Sequence, residues 1–231
     1  ADIADRDGVF YDGDHRLVHC GVDLDTTARA TTASIDAGLD RARDRGEVIE
    51  LYAHNPGVSV PIERIEHVLA GARARGLAFY SYRDFADDRP VTAGLALSFD
   101  DTFVPAWVGL RPLFAQYGAT VTFFVSRYAA LDDDAHAGLQ QLAADGHGVE
   151  PHTVRHMRAP AYVEQFGIDA YLRDELDPSI EVLEAAGFEV RAFAYPFGAR
   201  TGELDAAIAK RVSVIRSVDY AYAFADSPCP R

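Results

Sequence analysis

The stretch LALSFDDTF, residues 95–103, governs how the rest of the chain is interpreted, because an apolar run ends there in two adjacent carboxylates. The apolar residues before the carboxylates predict a buried strand. Asp100 and Asp101 follow at its end, and adjacent like charges cost free energy unless a cation or a proton transfer requires them. The stretch therefore predicts a strand that ends at a functional site.

Similar apolar runs alternate with amphipathic segments of helical length along the chain. This pattern is typical of βα units around a parallel sheet, and we expect a closed or nearly closed α/β barrel. The predicted strands are residues 16–22, 47–54, 77–82, 94–99, 120–126, 147–152, 190–196 and 213–218. The predicted helices are residues 32–46, 61–76, 103–118, 133–146 and 201–212, and the first four end in glycine, which a helix C-cap favours.

Composition limits the class of protein. The chain has 231 residues, 48% of them hydrophobic, which suits one large domain spanning residues 1–231. No run approaches the ~18 apolar residues of a membrane span, and the first residues lack the pattern of a secretion signal. A formal net charge of -14 without a Lys/Arg cluster argues against a nucleic-acid partner. Two cysteines, Cys20 and Cys229, allow at most one disulfide.

Two histidines complete a candidate metal site. His152 and His156 stand four residues apart in EPHTVRHM, and a helical turn would bring both imidazoles to one side. Two imidazoles and one carboxylate, supplied by Asp101, are a common ligand set for zinc or a similar divalent ion. Asp100 is then the natural base that removes a proton from water. Five other histidines show no partner pattern, and we expect solvated or hydrogen-bonded structural roles for them: His15, His19, His67, His136 and His147.

The segments SFDD (98–101), HTVRH (152–156) and FAYPFG (193–198), in this order, resemble the first three motifs of the polysaccharide deacetylases of carbohydrate esterase family 4. The resemblance implies a distorted (β/α)7 barrel that removes acetyl groups from sugars with a divalent metal, Zn2+ first, with Co2+ or Ni2+ as alternatives. It implies Asp100 as general base and Asp101, His152 and His156 as metal ligands. It implies the backbone amide of Phe197 as an oxyanion donor.

The last family motif, a late strand ending in a catalytic histidine, looks displaced to the N-terminal part of this chain. EVIELYAHNPG (47–57) resembles it, with His54 as the catalytic histidine and Tyr52 at the usual leucine position. The order is that of a circular permutation, in which residues 1–86 carry the usual C-terminal part and residues 93–231 the usual N-terminal part. Residues 86–94 would join the two parts, both termini would lie on one side, and Cys20 and Cys229 would flank the break. Poly-N-acetylglucosamine deacetylases are similar to this chain in FAYPFG and in the permuted order.

The chain departs from the family at two places. Ala194 stands where many members have an arginine that steadies the catalytic aspartate; Arg155, Arg191, Arg200 or Arg216 could replace it. The fourth motif, D-x-x-W, is missing, and Trp107 lies elsewhere. Asp23 or Asp25 is a candidate to orient His54, although aspartates at such positions more often end a strand or cap a helix.

The resemblance implies a metal-dependent hydrolase that removes N-acetyl groups from a polysaccharide outside the cytoplasm: extracellular, periplasmic or at the cell surface. Tyr52, Tyr195 and Pro196 join Phe197 as substrate-side residues, although packing within the barrel is the commoner role of such aromatics. Three alternatives stay open. One is a carbohydrate-binding pseudoenzyme, suggested by Ala194 and the missing fourth motif. The others are a hydrolase of O-acetyl esters and a hydrolase of a non-sugar linear amide.

Overall fold

The strands follow the predicted order. The computed structural model describes residues 2–28, 30–87, 90–219 and 229. The strands of these residues are β1 (Phe10–Tyr11), β2 (Val18–Asp23), β3 (Val48–Ala53), β4 (Ala78–Tyr80), β5 (Gly94–Asp101), β6 (Thr122–Val125), β7 (Gly148–Pro151), β8 (Ala192–Ala194) and β9 (Val214–Val218). All eight predicted strands are present, and the short strand β1 adds to them.

The helices lie between the strands. They are α1 (Thr32–Arg45), α2 (Ile62–Ala74), α3 (Tyr82–Ala86), α4 (Val104–Gly109), α5 (Arg111–Tyr117), α6 (Asp133–Ala144), α7 (Ala159–Phe166), α8 (Ile168–Tyr171), α9 (Asp177–Ala185) and α10 (Gly202–Ile208), with a π-helical turn at Leu172–Leu176. The helix predicted over 103–118 is two helices, because Pro112 in the first turn of α5 has no N–H to donate to a continuing helix. Helix α3 and helices α7 to α9 were not predicted.

Seven parallel strands form the barrel wall. Among the described residues the path of paired strands is β7-β6-β5-β3-β2-β9-β8, with β4 paired to the first half of β5 and β1 antiparallel to β3. The predicted α/β barrel of the (β/α)7 type is confirmed. Strand β3 pairs directly with β5 over Val48↔Gly94 to Ala53↔Phe99, so the segments that carry His54 and Asp100 are neighbours.

Alternate residues of each strand face different surroundings. Outward side chains such as Leu51, Leu97 and Phe123 pack against the helices in the main apolar core. Val48, Ala96 and Phe124 belong to a separate apolar cluster with Tyr11 and Tyr82. Polar side chains also lie in this buried interior, and some of them belong to the candidate active site.

The barrel closes without a ladder between β7 and β8. At this junction, the β7–β8 seam, the buried carboxyl group of Glu150 accepts the backbone N–H groups of Arg191 and Ala192 at Oε2, both at 2.9 Å. His152 Nδ1 lies 2.8 Å from the carbonyl oxygen of Ala194. Side chains therefore supply the links that backbone pairs supply elsewhere in the wall.

The two halves of the chain are also joined covalently. Strands β2 and β9 pair in parallel, and Cys20 in β2 forms a disulfide with Cys229, as the sequence allowed. Ala1 and Arg231, predicted to lie on one side, and Asp88 and Arg89 of the predicted joining segment are outside the described residues. Within the described parts of the chain, we find no helix with the length and apolar character to cross a bilayer.

Candidate active site

Asp101, His152 and His156 come together at the C-terminal end of the strands. Asp101 Oδ1 lies 3.1 Å from His156 Nε2 and 3.8 Å from His152 Nε2, and the two nitrogens are 3.2 Å apart. Two donor atoms bound to one tetrahedral zinc ion lie about 3.3 Å apart. The spacing and the donor types therefore fit a divalent ion.

The buried ring of His152 is prepared to act as a ligand. Its Nδ1–H donates to the carbonyl oxygen of Ala194, which leaves the lone pair of Nε2 directed at the triad. Burial lowers its pKa to about 3, although the charge of Asp100 opposes the shift. The imidazole is therefore neutral across the physiological range, as metal ligation requires.

A strained backbone brings His156 to the triad. Residues 152–156 form no helical turn, unlike the conformation considered from the HxxxH spacing. Thr153 and His156 instead have positive φ angles of 71° and 61°, and Asp101 and Phe197 have φ angles of 86° and 60°. Such conformations cost about 1–3 kcal/mol each, so the surrounding structure must hold them.

Arg216 supplies the cation that Ala194 lacks. Ala194 pairs with Arg216 in the β8–β9 ladder, so an arginine on the neighbouring strand lies beside the position at which the resemblance led us to expect one. The fully buried guanidinium donates to Asp100 Oδ2, and it lies between the rings of Tyr52 and Phe124 at 4.9 Å and 5.0 Å. Burial alone would raise the pKa of Asp100, but Arg216, together with His152 and His54, lowers this pKa below its usual value.

The second carboxylate oxygen of Asp100 takes no part in the contact with Arg216. Asp100 Oδ1 is buried and has no hydrogen-bond partner among the described residues. A buried acceptor without a donor normally requires a functional explanation. An ionised carboxylate with one oxygen fixed and the other unpaired can accept a proton from a water molecule at the site.

Asp25 orients His54. Asp25 Oδ2 is 2.7 Å from His54 Nδ1, and Asp25 Oδ1 accepts the backbone N–H of His54 and the hydroxyl of Ser59. Burial lowers the pKa of His54, but Asp25, with Asp100 and Asp101, raises it overall to about 9. Asp23 instead accepts the N–H of Asp25, at 2.8 Å. Of the two candidates, Asp25 therefore contacts the imidazole.

Trp107 also supports His54. Its buried indole N–H donates to the backbone carbonyl of His54 at 3.0 Å. The missing D-x-x-W motif thus has a spatial counterpart, in which Asp25 holds the ring and Trp107 holds the backbone. Sequence spacing could not reveal it, because the two residues come from separate segments.

The predicted substrate-side residues separate into two groups. A cavity of about 130 Å³ is lined by Tyr52, His54, Asp100, Asp101, His156, Phe197, Gly198, Arg216 and Val218. The Phe197 side chain is 53% exposed, and its ring lies edge-on to His156. Tyr195 is buried and donates its hydroxyl to Asp205, and neither it nor Pro196 lines the cavity.

A larger cavity has no residue of the triad in its lining. It measures about 710 Å³, and its lining includes Arg127, Tyr128, Thr153, Val154 and Val182. The smaller cavity holds the reactive groups, so we assign the chemistry to the smaller one.

The sequence profile described as polysaccharide deacetylase matches residues 88–214, more than half of the chain. No curated protein sequence matches the chain.

Solved structures show the same fold at low identity. IcaB from Ammonifex degensii is 18% identical over 72% of this chain and 81% of its own, with a TM-score of 0.60. The deacetylase PplD of Streptococcus pyogenes, solved with acetate, is 19% identical over 74% and 90%, with a TM-score of 0.54. The BpsB deacetylase domain from Bordetella bronchiseptica is 14% identical over 91% and 96%, with a TM-score of 0.52. By its sequence profile, and with a barrel that these structures share, the chain belongs to the polysaccharide deacetylase family.

Proposed function

We propose that the protein is a metal-dependent hydrolase that removes N-acetyl groups from an N-acetylated polysaccharide of the N-acetylglucosamine type. The observation that carries the proposal is the state of Asp100. Arg216 fixes one of its oxygens, while the other is buried, unpaired among the described residues, and adjacent to a ligand triad. Such an arrangement suits a base beside a metal site and has no purpose in a binding surface alone.

Asp101, His152 and His156 would hold the ion. Two imidazole nitrogens and one carboxylate oxygen favour Zn2+, and Co2+ or Ni2+ suit the same donors. When bound, the ion supplies a Lewis acid that polarises the acetyl carbonyl and makes nearby water more acidic.

The chain's own groups perform the proton transfers. Asp100 Oδ1 accepts the proton of the water that attacks the carbonyl carbon, and Arg216 keeps Asp100 ionised before that transfer. The Phe197 N–H donates to the developing oxyanion. His54, kept protonated by Asp25, gives its Nε2 proton to the departing amine, which is a poor leaving group without it.

The site geometry favours an enzyme over a pseudoenzyme. The pseudoenzyme alternative depended on Ala194 and on the missing fourth motif. Arg216 occupies the place that Ala194 leaves, and Asp25 and Trp107 support His54. Hydrolysis of O-acetyl esters or of a linear amide would use the same groups, and a substrate panel separates these from the sugar amide.

We propose further that residues 1–231 form one catalytic domain with a circularly permuted motif order. The direct pairing of β3 with β5 and of β2 with β9 supports this, because permutation of a barrel requires neighbouring first and last strands. An extracellular, periplasmic or cell-surface location suits a polymeric substrate, and the Cys20–Cys229 disulfide supports an oxidising compartment.

Acetate release tests the function. Purified protein, stripped with a chelator and then given Zn2+, Co2+ or no ion, is incubated with N-acetylglucosamine oligomers, O-acetylated sugars and a linear amide. We expect ion-dependent acetate release, fastest from the oligomers. Binding of zinc and oligomer without acetate release would favour the pseudoenzyme.

Asp100→Asn is the matched variant. Because Asp100 is not among the proposed ligands, we expect Asn at this position to retain zinc and to lose about 100-fold or more of the rate, since a general base contributes 10²–10⁴-fold. Full activity in this variant would show that Asp100 is not the base.

A further inference from the structure

The two histidines of the triad are held in different ways. His152 is fixed twice, by its Nδ1 bond to the Ala194 carbonyl and by its backbone N–H, which donates to Val125 at 2.9 Å. His156 has no partner at Nδ1 among the described residues. A ligating imidazole usually donates its second N–H to a neighbour that sets the ring orientation. The position of His156 therefore depends on the backbone of residues 152–156.

Glu175 anchors that backbone, together with Arg127, whose N–H donates to the Thr153 carbonyl at 3.1 Å. The N–H of Val154 donates to the Glu175 carbonyl at 3.2 Å, and the N–H of Arg155 donates to Glu175 Oε2 at 2.9 Å. The Arg155 side chain donates to Glu175 Oε1 as well. Glu175 thus makes three hydrogen bonds to Val154 and Arg155, which lie between the two histidines in the sequence.

The burial of Glu175 is unusual for a residue of this type. Its side chain is 0% exposed, while that of its cation partner, Arg155, is 52% exposed. A buried carboxylate carries a desolvation cost that a surface ion pair does not recover, so stability alone does not explain it. The Glu175 carboxylate is aimed at a backbone N–H in a loop with two positive φ angles, which needs restraint from outside.

Local structure presents Glu175 to this loop. It lies in the π-helical turn Leu172–Leu176, and such turns widen a helix and redirect its side chains. Next to it, Asp174 accepts the hydroxyl of Tyr162 at 2.8 Å, and that hydroxyl lies 3.3 Å from Arg155 Nη2. The turn therefore contacts the loop directly through Glu175, and indirectly through Asp174 and the Tyr162 hydroxyl.

We propose that Glu175 is a positioning residue for the metal site, which holds His156 in ligating geometry through the backbone of residues 154 and 155. The inference rests on the proposed function, because it assigns the triad to a metal ion. It adds a group that no sequence motif indicated, 19 residues beyond His156.

Metal affinity tests the proposal. We would measure Zn2+ dissociation constants by competition with a chromophoric chelator, and record the visible absorption of the Co2+-loaded proteins. Glu175→Leu removes all side-chain bonds to the loop, and we expect Zn2+ binding to weaken 10- to 100-fold, as for other groups that support ligands. Glu175→Gln keeps an acceptor for the Arg155 N–H, and we expect a smaller loss.

The control is Glu47→Gln. Glu47 pairs with Arg41 at the opposite end of β3 from His54, so this variant removes a comparable ion pair without touching the loop. We expect its Zn2+ affinity and Co2+ spectrum to match those of the wild type. Equal weakening of Zn2+ binding in Glu47→Gln would show that the effect comes from general destabilisation, and it would overturn the proposal.

The remaining outcomes are also decisive. Wild-type Zn2+ affinity and Co2+ spectrum in Glu175→Leu would overturn the positioning role while leaving the metal site intact. A wild-type protein that binds no metal would instead overturn the proposed function. If Glu175→Leu does not fold, Glu175→Gln and Arg155→Met decide the question, since Arg155 is exposed enough to replace and unchanged affinity in both would contradict the proposal.

Discussion

At the residue scale, Asp100 and Asp101 are neighbours in sequence whose side chains lie in different surroundings. Asp100 lies within the barrel against Arg216, which keeps its pKa low, whereas Asp101 adopts a positive φ and faces the imidazoles. Burial and the adjacent Asp100 raise the pKa of Asp101, although His156 opposes the shift. Two carboxylates whose surroundings push their pKa values apart are suited to different roles.

Arg216→Lys tests how Asp100 is held. Lysine keeps the charge but not the planar fork, so we expect Asp100 to be misplaced and kcat/KM to fall about 100-fold. We also expect the acid limb of the pH–rate profile to move to higher pH, because Asp100 would gain a proton more easily. Arg200→Lys, which alters the buried Arg200–Asp205 pair instead, is the control. An unmoved acid limb in Arg216→Lys would contradict this role.

Asp25→Asn tests how His54 is kept protonated. Activity should be lost as pH rises through about 9, because His54 then releases its proton in the free enzyme. Removing the Asp25 charge should move this alkaline limb down by about 1–3 pH units. The measurement is kcat/KM from pH 5 to 10, with Asp23→Asn as control, since Asp23 bonds the Asp25 N–H and not the imidazole. Equal shifts in the two variants would show that the Asp25 bond has no special part.

At the element scale, strand ends explain what could be predicted. Asp100 and Asp101 are the last residues of one parallel strand, and His152 and His54 directly follow two others. Such ends meet at one edge, so the convergence of these residues was accessible from pattern alone. Arg216 was only one of four arginines considered. Its signal was its place between apolar residues of a buried strand, where an arginine requires a carboxylate. The carboxylate that it pairs with depends on the register of the strand ladder, and the sequence does not specify that register.

His147, which is packed at the start of β7, should make the stability of the fold depend on pH. Its Nδ1 accepts the Val121 N–H at 3.3 Å, and its ring packs edge-on to Phe114 and Phe123. Burial lowers its pKa to about 4, so below pH 6.5 the unfolded chain binds a proton that the folded chain does not. Stability should therefore fall by up to about 3 kcal/mol from this group between pH 7 and 4.

The variant for that measurement is His147→Asn, which retains an acceptor but does not titrate. Urea unfolding at pH 7, 5.5 and 4 should give a smaller loss of unfolding free energy in the variant than in the wild type. Parallel losses in the two proteins would show that another group causes the acid sensitivity.

At the scale of the whole molecule, the disulfide joins positions 209 residues apart in sequence. The sequence indicated this disulfide only as a possibility. The pairing of β2 with β9, which brings the two cysteines together, belongs to the tertiary structure. We expect Cys20→Ala/Cys229→Ala to lower the free energy of unfolding by about 2–5 kcal/mol, since the unfolded chain regains its freedom. Neither cysteine lines the reactive cavity, so acetate release at 25 °C should be unchanged.

Thermal unfolding with and without dithiothreitol checks this expectation. The reductant should lower the wild-type midpoint and leave that of the double variant unaltered. A wild-type midpoint that ignores the reductant would show that the bond does not contribute.

The β7–β8 seam has a consequence for behaviour at high concentration. A gap in a barrel leaves two strand edges, and unpaired edge donors can recruit a strand from another molecule. Here the donors of Arg191 and Ala192 are already taken by an inward carboxyl group, and the strands at the gap are only four and three residues long. Glu150 therefore does more than complete one barrel: it occupies two donors of β8 that a strand of another copy of the protein would otherwise need for pairing.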